Sequence, residues 1–277
     1  MRLATTACSR ASLLDGEDRR PFQLRADAHR IARSVTCDFA ERHGLEVCHC
    51  ANRSGVKAWE LLGEARTPEG TAITLTRRGG EYLILADGKD LMSSRMKGSE
   101  EELARLGCDL ARELPSPTVL VGGLGMGFTL RATLDCLPPE ATVVVAELMP
   151  EVVEWNRGPL AVLTDHALAD RRVRVEVGDV TVVLREGKRR FDAILLDVDN
   201  GPAAFSQASN SGLYDNAGLV MVREALTPGG MLAVWSAWDD RKFEHRLRHH
   251  GFTAETHHVR ARLKQGGRRH TIFVGRT

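Results

Sequence analysis

The spacing of apolar and polar positions changes three times along the chain. Over residues 22–43 the apolar positions Leu24, Ala28, Ile31, Ala32, Val35 and Phe39 recur near helical spacing, which predicts an amphipathic helix. Between Trp59 and Ser94 the period drops to two. Residues 71–76 and 81–86 alternate and flank Arg77-Arg78-Gly79-Gly80, the signature of a β-hairpin, and Asp87-Gly88 marks a further turn. Ser99 and Glu102 read as a capping box for a helix to about Leu114, which Pro115 and Pro117 close. Beyond Pro117, short β-branched runs alternate with helical stretches. Strands are expected at residues 119–122, 141–147, 173–177, 191–197, 231–236, 252–258 and 270–274, and helices at 128–136, 150–157, 180–184, 213–226 and 240–250. That order predicts an α/β domain, with a mostly parallel, Rossmann-like sheet and helices on both faces. The last two strands, close together, suggest an antiparallel hairpin at the sheet's end. The chain thus divides into an N-terminal extension (1–55, partly helical or loose), a small β-strand module (56–98) and the α/β domain (99–277).

The candidate chemistry lies where the strands of that domain end. The first runs into Gly122, Gly123, Gly125 and Gly127, where glycine permits a tight bend and close approach of a ligand to the backbone. The second ends in Glu147, an acid suited to ribose hydroxyls. Gly178-Asp179 follows the third, where an acid can accept a hydrogen bond from an adenine amino group. The fourth ends in Asp197-Val198-Asp199-Asn200-Gly201-Pro202, the acidic end where reacting atoms would sit. The spacing Gly123-x-Gly125-x-Gly127 is not the Gly-x-Gly-x-x-Gly of a dinucleotide site, and no Gly-x-x-x-x-Gly-Lys phosphate loop is present. An adenosine bearing a small sulfonium chain fits this pattern better than a pyrophosphate.

Composition narrows the partners. In 277 residues the formal net charge is +1 and 43% are hydrophobic, which supports a sizeable core and gives no reason to expect nucleic acid. Arg268-Arg269-His270 reads as a solvated basic loop. No apolar run is long enough to cross a bilayer, and the N-terminus lacks an apolar leader core, so a cytoplasmic protein is expected. Six cysteines are too sparse for a disulfide scaffold. The cluster Cys37, His43, Cys48, His49 and Cys50 has no spacing that converges on one ion, so no metal is expected.

Several of these segments together resemble a family. VLVGGLGMGFTLR, VVVAEL, RVEVGD, FDAILLDVDNGP, GLY and LTPGGMLAV, preceded by the β-module, look like the polyamine aminopropyltransferase (spermidine synthase) group, within the S-adenosylmethionine-dependent class I methyltransferase fold. The resemblance spans residues 59–274. It implies a seven-stranded sheet, a small amine acceptor and an adenosyl-sulfonium cosubstrate. It further implies ribose binding by Glu147, adenine near Asp179, Asp197 at the catalytic aspartate position, and a homodimer. Two departures bear on the donor and acceptor. Gly125 stands where the family's loop carries an aspartate that grips the ammonium of decarboxylated S-adenosylmethionine, which admits the intact cofactor. Asp197-Val198-Asp199-Asn200-Gly201 stands where the family has Asp-Ser-Ser-Asp-Pro. The expected reaction is transfer of an alkyl group from the sulfonium to the amine: aminopropyl by resemblance, methyl or aminocarboxypropyl as alternatives. A non-catalytic nucleoside-binding homologue is the other reading. Asp197 would receive the amine proton. Asp199 would meet a second amine or be solvated, Tyr214 would line the acceptor pocket or simply pack, and Trp235 and Trp238 would form an aromatic wall or serve as core and cap.

Overall fold

Leu120 decides the architecture by facing away from its neighbours Val119 and Val121. Each is fully buried, yet the two valines join one hydrophobic cluster and Leu120 another, so the strand carrying them is buried on both faces. The same alternation runs through Val143/Val144/Val145, Ala193/Ile194/Leu195 and Leu232/Ala233/Val234. The computed structural model describes residues 57–198, 201–202, 211–262 and 266–277. The helix predicted over 22–43, the Cys/His cluster at 37–50 and the candidate Asp199 lie outside the described residues.

Residues Lys57–Thr277 form one unit with two sheets. The first is a four-stranded antiparallel meander, β1 (Glu60–Arg66), β2 (Ala72–Arg78), β3 (Glu81–Ala86) and β4 (Lys89–Ser93). Its turns use the expected residues: Gly79 has φ 63°, and Asp87 and Gly88 have φ 45° and 75°. Helix α1 (Gly98–Gly107) then leads into β5 (Thr118–Gly122), α2 (Phe128–Cys136), β6 (Thr142–Glu147), α3 (Pro150–Arg157), β7 (Val173–Val177), α4 (Val180–Glu186) and β8 (Phe191–Leu196). The chain continues with α5 (Ser211–Tyr214), α6 (Asn216–Ala225), β9 (Leu226–Ser236), α7 (Arg241–His249), β10 (Thr253–Arg262) and β11 (Gly266–Arg276). The larger sheet has the order β10-β11-β9-β8-β5-β6-β7, parallel except for β11. This is the class I methyltransferase-like architecture.

The helices cover both faces. Leu103 of α1, Leu130 and Leu134 of α2 and Val153 and Trp155 of α3 share one cluster with Ile73, Leu75, Tyr82 and Ile84 of the meander. Leu184 of α4, Val222 of α6 and Phe243 of α7 fill the other face. Each fully buried Leu, Val or Phe contributes about 1.5–3 kcal/mol, so the sheet core dominates stability. The meander rests on α3, where β1 runs so close to the Trp155 indole that only Gly63 fits. Asp192 ties the opposite end of the large sheet, accepting from Thr118 N–H at 2.8 Å and from Thr227 Oγ1 at 2.9 Å.

Three expectations need correction. The capping box is not formed: the helix begins two residues earlier than Ser99 would require, with Lys97 as its N-cap and no side-chain cap bond. Ser99 therefore lies inside the first turn, and Glu102 pairs with Arg105. That helix also ends at Gly107, followed by a 3-10 turn at Ala111–Glu113. The helix expected over 213–226 is broken at Asp215, whose carboxylate caps the new start by accepting from Gly218 N–H at 2.9 Å. The antiparallel hairpin expected at the sheet's end is formed: β11 lies between β9 and β10, and its Phe273 is fully buried.

Candidate functional site

The carboxyl ends of β5, β6 and β8 converge on the glycine loop. Gly123 N–H donates to Ala146 O at 2.8 Å, and Asp197 N–H donates to Gly122 O at 2.8 Å, so the loop and the acidic end of β8 leave the sheet side by side. Gly123, with φ 87°, lies so close to the Asp197 carbonyl that a Cβ there would collide with backbone. A Cβ at Gly127 (φ 81°) would crowd the Asn156 side chain, and one at Gly122 the side chains of Val180 and Leu196. These glycines are thus required by the protein's own packing before any ligand arrives.

Glu147 closes the loop from β6. Its side chain is buried; Oε2 accepts from Leu124 N–H at 2.8 Å and Oε1 from Met149 N–H at 2.9 Å. Burial pushes its carboxyl above the usual range, and the backbone N–H groups of Met149, Leu124, Gly125 and Leu148 pull it back. The short bonds from Leu124 and Met149 take one lone pair on each oxygen, so a hydroxyl donor would share the remainder with the Gly125 and Leu148 N–H groups. Asn156 pins the loop from α3, donating through Nδ2 to Gly125 O at 2.8 Å and Val152 O at 2.9 Å. Gly125 itself (φ 51°) is covered by the meander: a Cβ there would stand 2.8 Å from Met92 Cε and 2.9 Å from its Sδ.

Asp197, a half-buried residue at the end of β8 whose carboxyl is out of solvent, accepts a hydrogen bond from the buried Thr129 hydroxyl of α2. Desolvation raises its carboxyl to about 6, against the opposing effect of the Thr129 bond. On α1, Glu100 is 8% exposed and its Oε2 accepts from Ser99 Oγ at 2.7 Å. Burial first, and then the charge of Asp197, raise Glu100 to about 7. His270 Nδ1 lies 2.9 Å from Ser99 Oγ, and the Trp235 ring packs on His270 with centroids 4.7 Å apart.

The remaining candidates are placed as follows. Asp179 is the N-cap of α4, accepting from Thr181 N–H at 2.8 Å, on the wall of a cavity of about 570 Å³ formed with α4 and α6. That cavity shares only Asp179 with the predicted site and holds neither Glu147 nor Asp197. Tyr214 is buried edge-on against Phe243 with centroids 5.8 Å apart, and its hydroxyl donates to Val198 O at 3.4 Å, the residue next to Asp197. Trp238 is 53% exposed beyond β9. The structure therefore brings Gly122, Gly123, Gly125, Gly127, Glu147 and Asp197 together, with Tyr214 close to Asp197 through Val198. Among the described residues, no group of His, Cys, Asp or Glu is arranged to hold a metal ion. No described helix is long and apolar enough to cross a membrane.

Sequence reasoning missed Asn156, Thr129, Met92 and Glu100. Asn156 had a signal, a polar residue on the apolar stripe Val152, Val153, Trp155. The others had none, because their roles arise only from packing.

The polyamine aminopropyltransferase of Saccharolobus solfataricus is 28% identical over 173 residues, 62% of this chain and 56% of the relative. The polyamine aminopropyltransferase of Clostridium tetani is 32% identical over 118 residues, 42% of this chain and 40% of the relative. Spermidine synthase from Thermotoga maritima superposes with a TM-score of 0.62 at 17% identity, covering 78% of this chain and 72% of its own. The chain resembles the polyamine aminopropyltransferases in sequence and the spermidine synthases in fold. It spans about half the length of the first of these curated relatives and less of the second. A spermidine synthase solved with the transition state analogue AdoDATO superposes with a TM-score of 0.59 at 18% identity, covering 78% of this chain and 72% of its own. No family model matches the chain.

Proposed function

We propose that this chain transfers an alkyl group from an adenosyl sulfonium to a small amine. The observation that carries the reading is the position of Asp197. Its carboxyl, raised to about 6 by burial, stands beside the glycine loop at the end of β8. The loop fits the donor: its glycines bring backbone close to where the nucleoside would lie, and Glu147 would meet ribose hydroxyls with the lone-pair capacity its backbone partners leave. Asp179 would receive the adenine amino group through the oxygen not engaged by Thr181.

A cationic amine must lose a proton before it can attack. Asp197 would take that proton and hold the neutral nitrogen in line with the sulfonium carbon. The nitrogen lone pair then forms the C–N bond while the C–S electrons return to sulfur, leaving a neutral thioether nucleoside and a secondary ammonium. Asp199 and Tyr214 would border the acceptor, with Trp238 at its outer edge. Aminopropyl is the group that the resemblance implies. The homodimer implied by the same resemblance stays part of this reading, and sedimentation at micromolar concentration tests it.

One observation favours a second donor. Gly125, where the family carries an aspartate, has the Met92 thioether against it, so no carboxylate is available there for a donor ammonium. That supports intact S-adenosylmethionine, and with it methyl or aminocarboxypropyl transfer. Calorimetric titration with S-adenosylmethionine and with its decarboxylated form separates the two. Binding of neither removes the adenosyl-sulfonium reading altogether.

A further inference from the structure

The near-zero net charge that argues against a polyanionic partner is an average over two unequal parts. Residues 241–277 hold ten Lys and Arg against two Glu, so this stretch carries +8 of a chain whose total is +1, and the remainder carries −7. Within it, residues 260–270 contain five Lys and Arg and no acid. Arg268-Arg269-His270, expected in a solvated loop, lies instead inside β11, and pairing with β10 gives these cations defined places.

β11 pairs with β9 only as far as Thr271, which stands opposite Ser236, the last residue of β9. Beyond that point residues 266–270 pair only with β10, itself the edge of the sheet, so the hairpin continues as a two-stranded ribbon. At the usual rise per residue it runs roughly 15 Å past its neighbour. It leaves the sheet at the carboxyl end, the edge that also carries Asp197 and the glycine loop. Both faces of the ribbon are cationic. Arg260 and Arg269 are directly opposite partners, on the face that holds Phe273. Arg268 is on the other face, that of Ile272 and Val274. All three arginines are exposed. Among the described residues, the ion pairs of α7 and the hairpin join Arg246 to Asp240, Arg248 to Glu244 and His257 to Glu255, which leaves these three with none. Like charges directly opposite on paired strands are destabilising, so Arg260 facing Arg269 weakens the ribbon until an anion lies between them.

We propose that this ribbon is an arm that binds B-form duplex DNA through its phosphate backbones. The distribution of charge selects that occupant. A flat anionic membrane meets a ribbon on one face, whereas cations on both faces suit a groove walled by a backbone on either side. A strand pair with its side chains is about 10 Å thick, and the B-form major groove, about 12 Å wide, admits it. The major groove of duplex RNA is deep and too narrow for side chains to read. A single strand is gripped by stacking on aromatic rings, and residues 257–271 contain no Phe, Tyr or Trp. Arginines directed at phosphates position the partner without reading its bases, so the binding is independent of sequence. The arm goes beyond the transfer reading and does not rest on it.

Fluorescence anisotropy of the full chain with a labelled DNA duplex of about 20 base pairs tests the arm. Affinity should fall with salt, log affinity against log salt having a slope of about −3 or steeper, since each of the three arginines displaces a counterion. Arg260→Thr with Arg269→Thr keeps strand-forming residues and removes the like-charge pair, so the melting temperature should not fall. This double variant should weaken duplex binding about tenfold or more at about 50 mM salt and make the slope shallower by about 2. Arg185→Gln with Lys188→Gln removes the same charge at the amino end of β8 and should leave affinity within about twofold of wild type. Equal losses in the two double variants would overturn the proposal. So would a duplex bound no better than a single strand or an RNA duplex of the same length, or bound less tightly than vesicles of anionic phospholipid. Should the ribbon double variant fail to fold, Arg268→Thr on the other face decides: a loss of about threefold and a slope shallower by about 1 are expected, and no change overturns the arm. None of these measurements needs donor or amine. A chain that binds neither S-adenosylmethionine nor its decarboxylated form would count against the transfer reading alone.

Discussion

Two strand ends of the same sheet each bury an acid, and the surroundings give the two acids opposite characters. At the end of β6, Glu147 is met by backbone N–H groups on both oxygens, which offset the cost of burial and fix the carboxylate as a strut between the glycine loop and α3. At the end of β8, Asp197 has one hydroxyl donor and an acidic neighbour, so burial is only partly offset and the carboxyl titrates near 6. Backbone donors cannot move or change protonation, whereas a hydroxyl and a second carboxyl can. On the proposed reading, one end would hold a ligand still and the other would exchange a proton.

The sharpest way to break that contrast is to remove the proton acceptor. If the proposed transfer holds, Asp197→Asn should lower kcat/KM with a small amine acceptor by about 10²–10⁴-fold, the usual contribution of a positioned base. Calorimetry should show donor affinity within a few-fold of wild type. Turnover that persists at near wild-type rate would move the base to another residue. The matching change at the other end is Glu147→Gln. Its amide NH₂ must face either Leu124 N–H or Met149 N–H, leaving a buried donor unpaired at about 1–3 kcal/mol. Here stability in urea and donor affinity should fall together. A fall in neither would mean that Glu147 is not the strut described.

Much of this contrast was legible in the sequence, and the illegible part has a physical reason. The ends of β7, α2 and α3 follow from local patterning: Val173–Val177 and the helices Phe128–Cys136 and Pro150–Arg157 carry their own period and turn residues. Glu147 and Asp197 could be named because they stand at the ends of apolar runs. Glu100 could not. Ser99 and Glu102 have the spacing of a capping box, and only the earlier start of α1 turns Ser99 toward Glu100 and His270, 171 positions away in the chain. The contact of Met92 with Gly125 joins the two sheets and is likewise invisible to local periodicity. The order of β10 and β11 depends on which strand pairs better with β9, where β11 brings Ile272, Phe273 and Val274.

The contrast also has a pH signature in stability. Glu100 and Asp197 both have folded-state values above their ordinary range, so between about 4 and 7 the folded chain binds more protons than the unfolded one. Stability from this pair is therefore fully present below the unfolded values and declines as pH rises through about 6 and 7. Glu147 shifts in the same direction, but its backbone donors limit the effect. Urea denaturation from pH 5 to pH 8 should show stability falling by about 4 kcal/mol, and Glu100→Gln should reduce that slope by more than half. A stability that rises over this range in wild type would contradict the shifts at both carboxyls.

The smallest expected effect concerns which donor the rigid end accepts. Gly125 has φ 51°, a conformation aspartate tolerates better than most residues, and the atoms a Cβ would meet are the flexible end of Met92. Gly125→Asp should therefore fold, with Met92 displaced, and Met92→Ala beside it should relieve the remaining crowding. A carboxylate there attracts a donor ammonium and repels a donor carboxylate. The ratio of affinities should move toward decarboxylated S-adenosylmethionine by about tenfold, or 1.4 kcal/mol. Calorimetry on the two donors reads that ratio directly, and the double variant should exceed the single one. A ratio within twofold of wild type in both would mean that position 125 does not face the donor's amino end, and the absence of an acid there would then carry no weight in choosing between the donors.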